Sequence, residues 1–572
     1  MTKTLLTCLA LAASLGGCAE YSEPTSAVTP AAEPSSRGAV SAADPRATEA
    51  GEEILAMGGS ATDAAIAVML ALTVVEPQSS GIGGGGFMVR SDGDSLVTID
   101  GRETAPAAAT QTRFLDSEGE RLPRDKRITS GLSVGVPGNI ALAAEAHARY
   151  GKLPWSQLFQ PAIKLAEDGF VMNRRLNESL TSRKERAGKT EQARRVFFGP
   201  GGEAKPVGTL IRNPDLAEVL EDIAVTGPEA MYQNNAADIA EYIATETPQD
   251  GTMTTADINA YKAKERDPVC AKYRTYKVCG MGPPSSGGVA VAQMLGQLER
   301  FDLAALGPDS AEFWHLFLES QRVAYADREL YIGDADFVSV PVSGLVDPDY
   351  IVSRSALIDP AKALAEAKPG TPPGAPLARA DGDEPMENGT THFSVVDGDG
   401  NAISYTSTIE GAFGSGLFFG GFYLNNELTD FSLSPERDGK PVANRVEGGK
   451  RPRSSMAPTI VFDANGDVVL VIGAAGGPTI PVQVTRSIIG VVDFGMTAQE
   501  ALGLPLIMAF GPSVVIEKGT VLEGMEDDFK ARGHQQIRAF GPPLKANALR
   551  RKDDGNWEVA TDPRIAPKLV YE

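Results

Sequence analysis

The stretch "MENGTTHFSVVDGDGNAISYTST", beginning at Met386, holds the residues best suited to chemistry. Gly389 precedes two adjacent threonines, Thr390 and Thr391, and two well-patterned strands follow. A threonine hydroxyl is a poor nucleophile unless a base removes its proton. If the chain is cut before Thr390, the new α-amine becomes that base. Such an amine has an ordinary pKa of about 7.7–8.0, and modest desolvation disfavours its charged form. Glycine at 389 suits a bond that the hydroxyl must approach closely. The competing reading is an ordinary linker-to-domain junction, since threonine pairs are common at strand starts.

Other groupings fail on context. Gly81, Gly83 and Gly86 satisfy GxGxxG, but a dinucleotide fingerprint needs a strand before it and a helix after it, and here the order is reversed. Gly131, Ser133 and Gly135 satisfy GxSxG without a buried strand in front. "DGDGN" at Asp397 begins like a calcium loop but has Ala402 and Thr408 where a glycine and a glutamate are needed, so it reads as a hairpin turn. The four histidines are scattered, without HExxH spacing. No metal site and no cofactor are expected. Cys270 and Cys279, in "VCAKYRTYKVC", flank a short polar turn, and in an oxidising compartment a disulfide is the default.

These residues need elements to hold them. "TEAGEEILAMGGSATDAAIAVMLALTVVEP" predicts two helices separated by a Gly-Gly stop, the second capped near Ser60 to Asp63. "GGGGFMVRSDGDSLVTIDGRE" predicts two strands around a turn. The region from about Ile140 to Leu357 reads as mostly helical, and the pattern collapses from about Asp359 to Gly389. Strands return after Thr390, followed by a helix in "PVQVTRSIIGVVDFG". Strands at both ends with helices between them imply a layered α/β domain assembled from two distant pieces.

Ten motifs stand in a characteristic order: "GGSATDAAIAV", "GIGGGGFM", "GRETAP", "SVGVPG", "PPSSGG", "NGTTHFSVVD", "FGSG", "LNNELTDFS", "KRPRSSMAPT" and "GAAGGPTI". Together they resemble the gamma-glutamyltranspeptidase family of N-terminal-nucleophile hydrolases. The resemblance implies an αββα sandwich and cleavage between Gly389 and Thr390. The resulting large (47–389) and small (390–572) subunits stay associated. It implies that Thr390 is the nucleophile, that Thr408 orients it, and that the Gly476 and Gly477 N–H groups form the oxyanion hole. Arg102, Ser454 and Ser455 would take the substrate α-carboxylate, and Glu427 and Asp430 its α-ammonium. Glu410 stands where the family commonly has an asparagine touching that ammonium. The segment from Ser434 to Arg453 is shorter than the usual lid and lacks the aromatic residue that often closes it.

The chain has 572 residues, 42% of them hydrophobic, and a net charge of −22. That supports a large core and argues against nucleic acid, where a basic stripe is expected. Lys3, the run "LLTCLALAASL" and "LGGC" ending at Cys18 resemble a lipoprotein signal. Residues 1–18 are then a leader and Cys18 a lipidation site. Residues 19–46 form a Pro/Ser/Ala/Glu-rich tether. The expected whole is a periplasmic, lipid-anchored γ-glutamyl hydrolase/transpeptidase acting on a small molecule such as glutathione. The alternatives are a glutaryl-cephalosporin-type acylase and a non-catalytic solute-binding lipoprotein.

Overall fold

Alternation along "GTTHFSVV" and "AISYTSTIE" gives two adjacent strands with unlike faces. These are the centre of the fold. A computed structural model describes residues 38–248, 251–376, 379–380, 389–511, 513–541 and 544–571. The proposed leader, Cys18 and the tether up to residue 37 lie outside the described residues, as do residues 381–388.

The strands of the two principal sheets are β1 (Ala39–Ser41), β2 (Gly85–Ser91), β3 (Leu96–Gly101), β4 (Lys264–Arg266), β5 (Val269–Tyr273), β6 (Tyr276–Gly280), β7 (Gly389–Val396), β8 (Ala402–Glu410), β9 (Thr459–Phe462), β10 (Val468–Ala475), β11 (Lys545–Arg551) and β12 (Trp557–Thr561). One sheet has the order β1-β7-β8-β2-β3-β4 and the other β12-β11-β10-β9-β6-β5. All neighbouring pairs in both sheets are antiparallel. Each sheet draws strands from both sides of Gly389. A cut there leaves the two pieces interleaved through main-chain hydrogen bonds.

Helices α1 (Pro45–Ala56) and α2 (Ala61–Val75) cover the outer face of the first sheet. Every side chain of α2 is buried, and a Ser60–Asp63 capping box starts it. Phe393, Val395, Ile403 and Tyr405 point into this helical layer. Helices α3 (Gly287–Leu298), α4 (Ala311–Tyr331) and α5 (Ile480–Val492) cover the second sheet. The sheets meet through small polar side chains. Ser394 Oγ donates to the Val471 carbonyl (3.2 Å) and Ser404 Oγ to that of Ile472 (3.0 Å). The result is the expected αββα sandwich.

Two expectations need correcting. Folding begins before residue 47: β1 pairs with β7 from Ala39↔Val396 to Ser41↔Ser394. Asp44 then caps α1. A three-residue edge strand of small side chains carries no periodic signal, so its sequence is indistinguishable from the tether before it. The segment after Asp359 is irregular but anchored. Glu319 accepts from the Leu364 N–H (2.7 Å), Asp327 accepts from that of Gly370 (2.8 Å), and Arg354 donates to the Lys368 carbonyl (2.7 Å). As expected, Cys270 and Cys279 form a disulfide across the β5–β6 hairpin. Asp397 accepts from the Asp399 and Asn401 N–H groups in a hairpin turn.

Candidate active site

Thr390 and Thr408 face one another in register on β7 and β8. Their hydroxyl oxygens lie 3.3 Å apart. Thr408 Oγ1 donates to the Gly389 carbonyl (2.8 Å) and accepts from the Glu410 N–H (2.8 Å). One hydroxyl has a single donor and two acceptor positions, so the Thr390 O–H completes this set as the donor to Thr408. The carbonyl that Thr408 polarises is the one preceding Thr390.

Glycines make that approach possible. A Cβ on Gly389 would lie 2.6 Å from the Glu410 carbonyl oxygen, and one on Gly84 would lie 2.0 Å from that of Thr408. The "GIGGGGFM" run is thus a surface on which the end of β8 rests, consistent with the rejection of a dinucleotide motif. Glu410 follows a bulge and has φ 72°, a left-handed conformation unusual for glutamate.

A cavity of about 700 Å³ opens beside Thr390 and Thr408. Arg102, Glu410, Glu427, Asp430, Ser454, Ser455 and Gly477 all line it. Gly476 and Gly477 have φ 126° and 56° and turn the chain from β10 toward α5. The structure therefore brings the sequence-predicted set together around one space, with Gly476 just behind its lining.

The charged floor is paired with itself. The Arg102 guanidinium, 1% exposed, donates to both Glu427 and Asp430, and to the carbonyls of Pro452 (3.1 Å) and Arg453 (2.9 Å). Burial pushes the Glu427 carboxyl up to about 7 against the pull of Arg102, and Asp430 adds to the rise. Burial also raises Asp430. Glu103, fully buried, is raised well above the carboxylate range by burial and then by Glu427.

Several supporting residues escaped the sequence reading. Arg328 on α4 donates to Ser455 Oγ (2.7 Å) and Ser286 Oγ (2.8 Å). The Ser286 N–H and Oγ both reach the Ser454 carbonyl (2.8 and 2.7 Å). "PPSSGG" therefore backs the serine pair. Glu329 holds Arg328 and Arg453, and Asn426 donates to Glu410. Only spatial neighbours separated by tens to hundreds of residues reveal these roles. Ser133 of the GxSxG match is fully buried and donates to the Ile128 and Ser130 carbonyls, which makes it structural. His392 is also no base for Thr390: burial pushes it down to about 3, and it contacts Thr406 and Ser394.

The scattered histidines hid one grouping. His315, Glu319 and His534 place potential ligand atoms within 4.8 Å of one another. His315 Nδ1 meets His534 Nε2 at 2.7 Å and its Nε2 meets the Asp359 carbonyl at 2.8 Å. These bonds satisfy the pair without a metal, and Arg322 and Arg532 nearby oppose added positive charge.

Of the expected lid, Ser434 to Arg453, only Arg453 lines the cavity. Its apolar residues Val442, Ala443 and Val446 are buried.

The chain matches the Gamma-glutamyltranspeptidase family model over residues 47–570. It belongs to that family. The glutathione hydrolase proenzyme of Escherichia coli (strain K12) is 40% identical over 555 residues, covering 93% of this chain and 91% of that protein. An acylase ACY 1 proenzyme of Pseudomonas sp. (strain V22) is 35% identical over 529 residues, covering 91% of each chain. The solved structure of a cephalosporin acylase from Bacillus halodurans matches with a TM-score of 0.81 at 27% identity, covering 95% of this chain and 97% of that one.

Proposed function

We propose that this member of the family is a self-processing γ-glutamyl hydrolase and transferase acting on glutathione and related amides. The observation that carries the reading is the convergence of Thr390 and Thr408 with a buried arginine and three carboxylates in one cavity. A γ-glutamyl group is zwitterionic at its α-carbon. The floor has a cation for its carboxylate and carboxylates for its ammonium.

In the precursor, Thr390 Oγ1 attacks the Gly389 carbonyl carbon, which Thr408 polarises. The C–N bond breaks, the hydroxyl proton passes to the departing nitrogen, the acyl group moves to oxygen, and water hydrolyses the ester. This frees the Thr390 α-amine. In turnover that amine takes the hydroxyl proton as Oγ1 attacks the γ-glutamyl carbonyl, and it returns the proton to the leaving amine. Oxyanion charge falls on the Gly476 and Gly477 N–H groups; losing one such donor typically costs about 2.7–4 kcal/mol. Water or a second amine then releases the glutamyl group.

Hydrolysis predominates over transfer in this proposal, because transfer needs a site closed against water and, of the stretch from Ser434 to Arg453, only Arg453 lines the cavity. The test is partition of product between glutamate and γ-glutamyl-glycylglycine at a moderate acceptor concentration. A dominant transfer product overturns this part alone. The acylase reading is disfavoured because a glutaryl group has no ammonium to meet Glu410, Glu427 and Asp430. Arg102→Lys keeps charge but loses the planar fork, and kcat/KM for glutathione should fall at least ~10-fold. An analogue without the α-carboxylate should lose less; equal loss removes Arg102 from recognition. Lipidation at Cys18 and a periplasmic location complete the proposal, supported by "LGGC" and the short apolar run before it. Mass analysis of the mature N-terminus tests them.

A further inference from the structure

The cavity is larger than one glutamyl group needs. Volumes of this size suit a drug-sized ligand. Besides the residues around Thr390, a second arm is lined by Arg322 and Tyr325 of α4, by Met508 and Phe510, and by Lys368.

Its cations are unequally committed. Arg328 is used by Ser286, Ser455 and Glu329, and Arg453 by Glu329 and backbone carbonyls. Lys368 is 74% exposed and pairs with Glu366 (3.3 Å). Arg322 differs. Its Nη1 donates to Glu319 Oε1 (2.9 Å) and to the Leu364 carbonyl (2.7 Å), while Nε and Nη2 have no hydrogen-bond partner among the described residues. Its side chain is 11% exposed, and Glu319, fully buried three residues earlier, fixes one edge of the fork. A guanidinium pinned on one edge and bare on the other, facing a cavity, is prepared for a carboxylate.

The spacing fits a peptide. Tyr325 donates its hydroxyl to the Pro478 carbonyl, beside the Gly476–Gly477 turn where the scissile carbonyl would sit. Arg322 is three residues back along α4, about 4.5 Å in helix rise. Two extended residues reach at most about 7 Å, which the arginine's own length accommodates. The arm also outlasts processing. Its rim is tied to α4 by Glu319, Arg322, Asp327 and Tyr331, through bonds to Leu364 and Gly370, independently of the Gly389–Thr390 bond.

We propose that Arg322 binds the terminal carboxylate of a peptidyl leaving group, so that γ-glutamyl peptides with a free C-terminus are preferred donors. This rests on the γ-glutamyl reading above. The experiment compares kcat/KM for γ-glutamyl-cysteinylglycine, its C-terminal amide and γ-glutamyl-p-nitroanilide in the wild type, Arg322→Met and Arg322→Lys. The wild type should favour the free acid over the amide about 10-fold, an effect of the size expected for one charge-assisted contact. Arg322→Met should bring that ratio near one, chiefly through KM, and Arg322→Lys should recover part of it. The anilide, which has no carboxylate there, should lose less than the peptide. A wild type that cleaves acid and amide alike, or an Arg322→Met enzyme that keeps the preference, overturns the proposal. The wild-type comparison stands even where a variant fails to fold. A wild type that cleaves none of the three substrates overturns the γ-glutamyl function and the arm with it. Cleavage of all three without discrimination overturns the arm alone.

Discussion

Two ends of one cavity are built on opposite principles. Around Thr390 the contacts are neutral and local: two hydroxyls, a carbonyl and an N–H, all held by the register of β7 on β8. At the floor they are charged and come from four separate stretches, Arg102–Glu103, Arg328–Glu329, Glu427–Asp430 and Arg453–Ser455. The first end is arranged before any substrate arrives. The second end pairs Arg102 with Glu427 and Asp430 internally and must exchange those partners to take a zwitterion. Bond-making is therefore pre-set by strand geometry, whereas recognition is a competition between internal and substrate charges.

The sharpest way to break this contrast is at the pre-set end. Thr390→Ala removes the attacking oxygen. The chain should remain a single uncut species on a denaturing gel, with activity down by about 10⁶. A variant that still cuts itself would place the nucleophile elsewhere. Thr408→Val keeps the shape but loses the donor to the Gly389 carbonyl. Processing should slow by about 10²–10³, the effect of losing one well-placed donor to a developing oxyanion. The half-time of precursor conversion measures it. An unchanged half-time would mean that the 2.8 Å bond to Gly389 is passive.

The same contrast explains what the sequence could reveal. Alternation in 389–410 exposes both strands and the turn that joins them, so the hairpin is legible, whereas the pairing of Thr408 with Thr390 came from the resemblance. The disulfide is legible for the same reason, since its cysteines oppose each other across one hairpin. No periodicity reports that Arg102 meets Glu427, 325 residues away. Those residues came from resemblance alone, and their mutual pairing came only from the structure. Arg328, Glu329 and Arg322 sit on a helix whose polar residues are indistinguishable in sequence from a solvated face. His315 and His534 meet across 219 residues, beyond any spacing rule. β1 was missed because three small residues at a sheet edge have no pattern to show.

The self-paired floor predicts a pH dependence. Glu427 holds its proton up to about pH 7 because it is buried, whereas an unfolded glutamate loses it near 4.5. Protonated Glu427 is a poor partner for an ammonium, so ligand binding should strengthen as pH rises through about 7. L-Glutamate as a competitive inhibitor should tighten about 10-fold from about pH 6 to about pH 8, following one ionisation. Glu427→Gln should flatten the profile, which separates this group from the Thr390 amine. The stability sign is opposite. The folded state binds the extra proton, so this group's contribution is fully present below about pH 4.5 and is lost as pH rises through about 7. A glutamate inhibition constant independent of pH would remove Glu427 from ammonium binding.

The smallest effect tests where the two ends touch. Glu410 belongs to both: its N–H donates to Thr408, and its carboxylate accepts from Asn426 and lines the cavity. It holds φ 72°, a conformation that costs an ordinary L-residue about 1–2 kcal/mol and that asparagine tolerates better. Glu410→Asn keeps the N–H to Thr408 and a polar side chain near Asn426 while relaxing the backbone. Stability should rise by about 0.5–1 kcal/mol, read by urea denaturation at a pH where the carboxylate is charged. Processing rate should stay within about 3-fold, because the backbone bond to Thr408 is untouched and a 3-fold change is only about 0.6 kcal/mol. Glutamate affinity should weaken by a similar factor, because one of three carboxylates facing the ammonium is gone. A loss of stability instead would show that the carboxylate's bond to Asn426 outweighs the strain. The junction between the two ends would then be held by charge rather than by backbone.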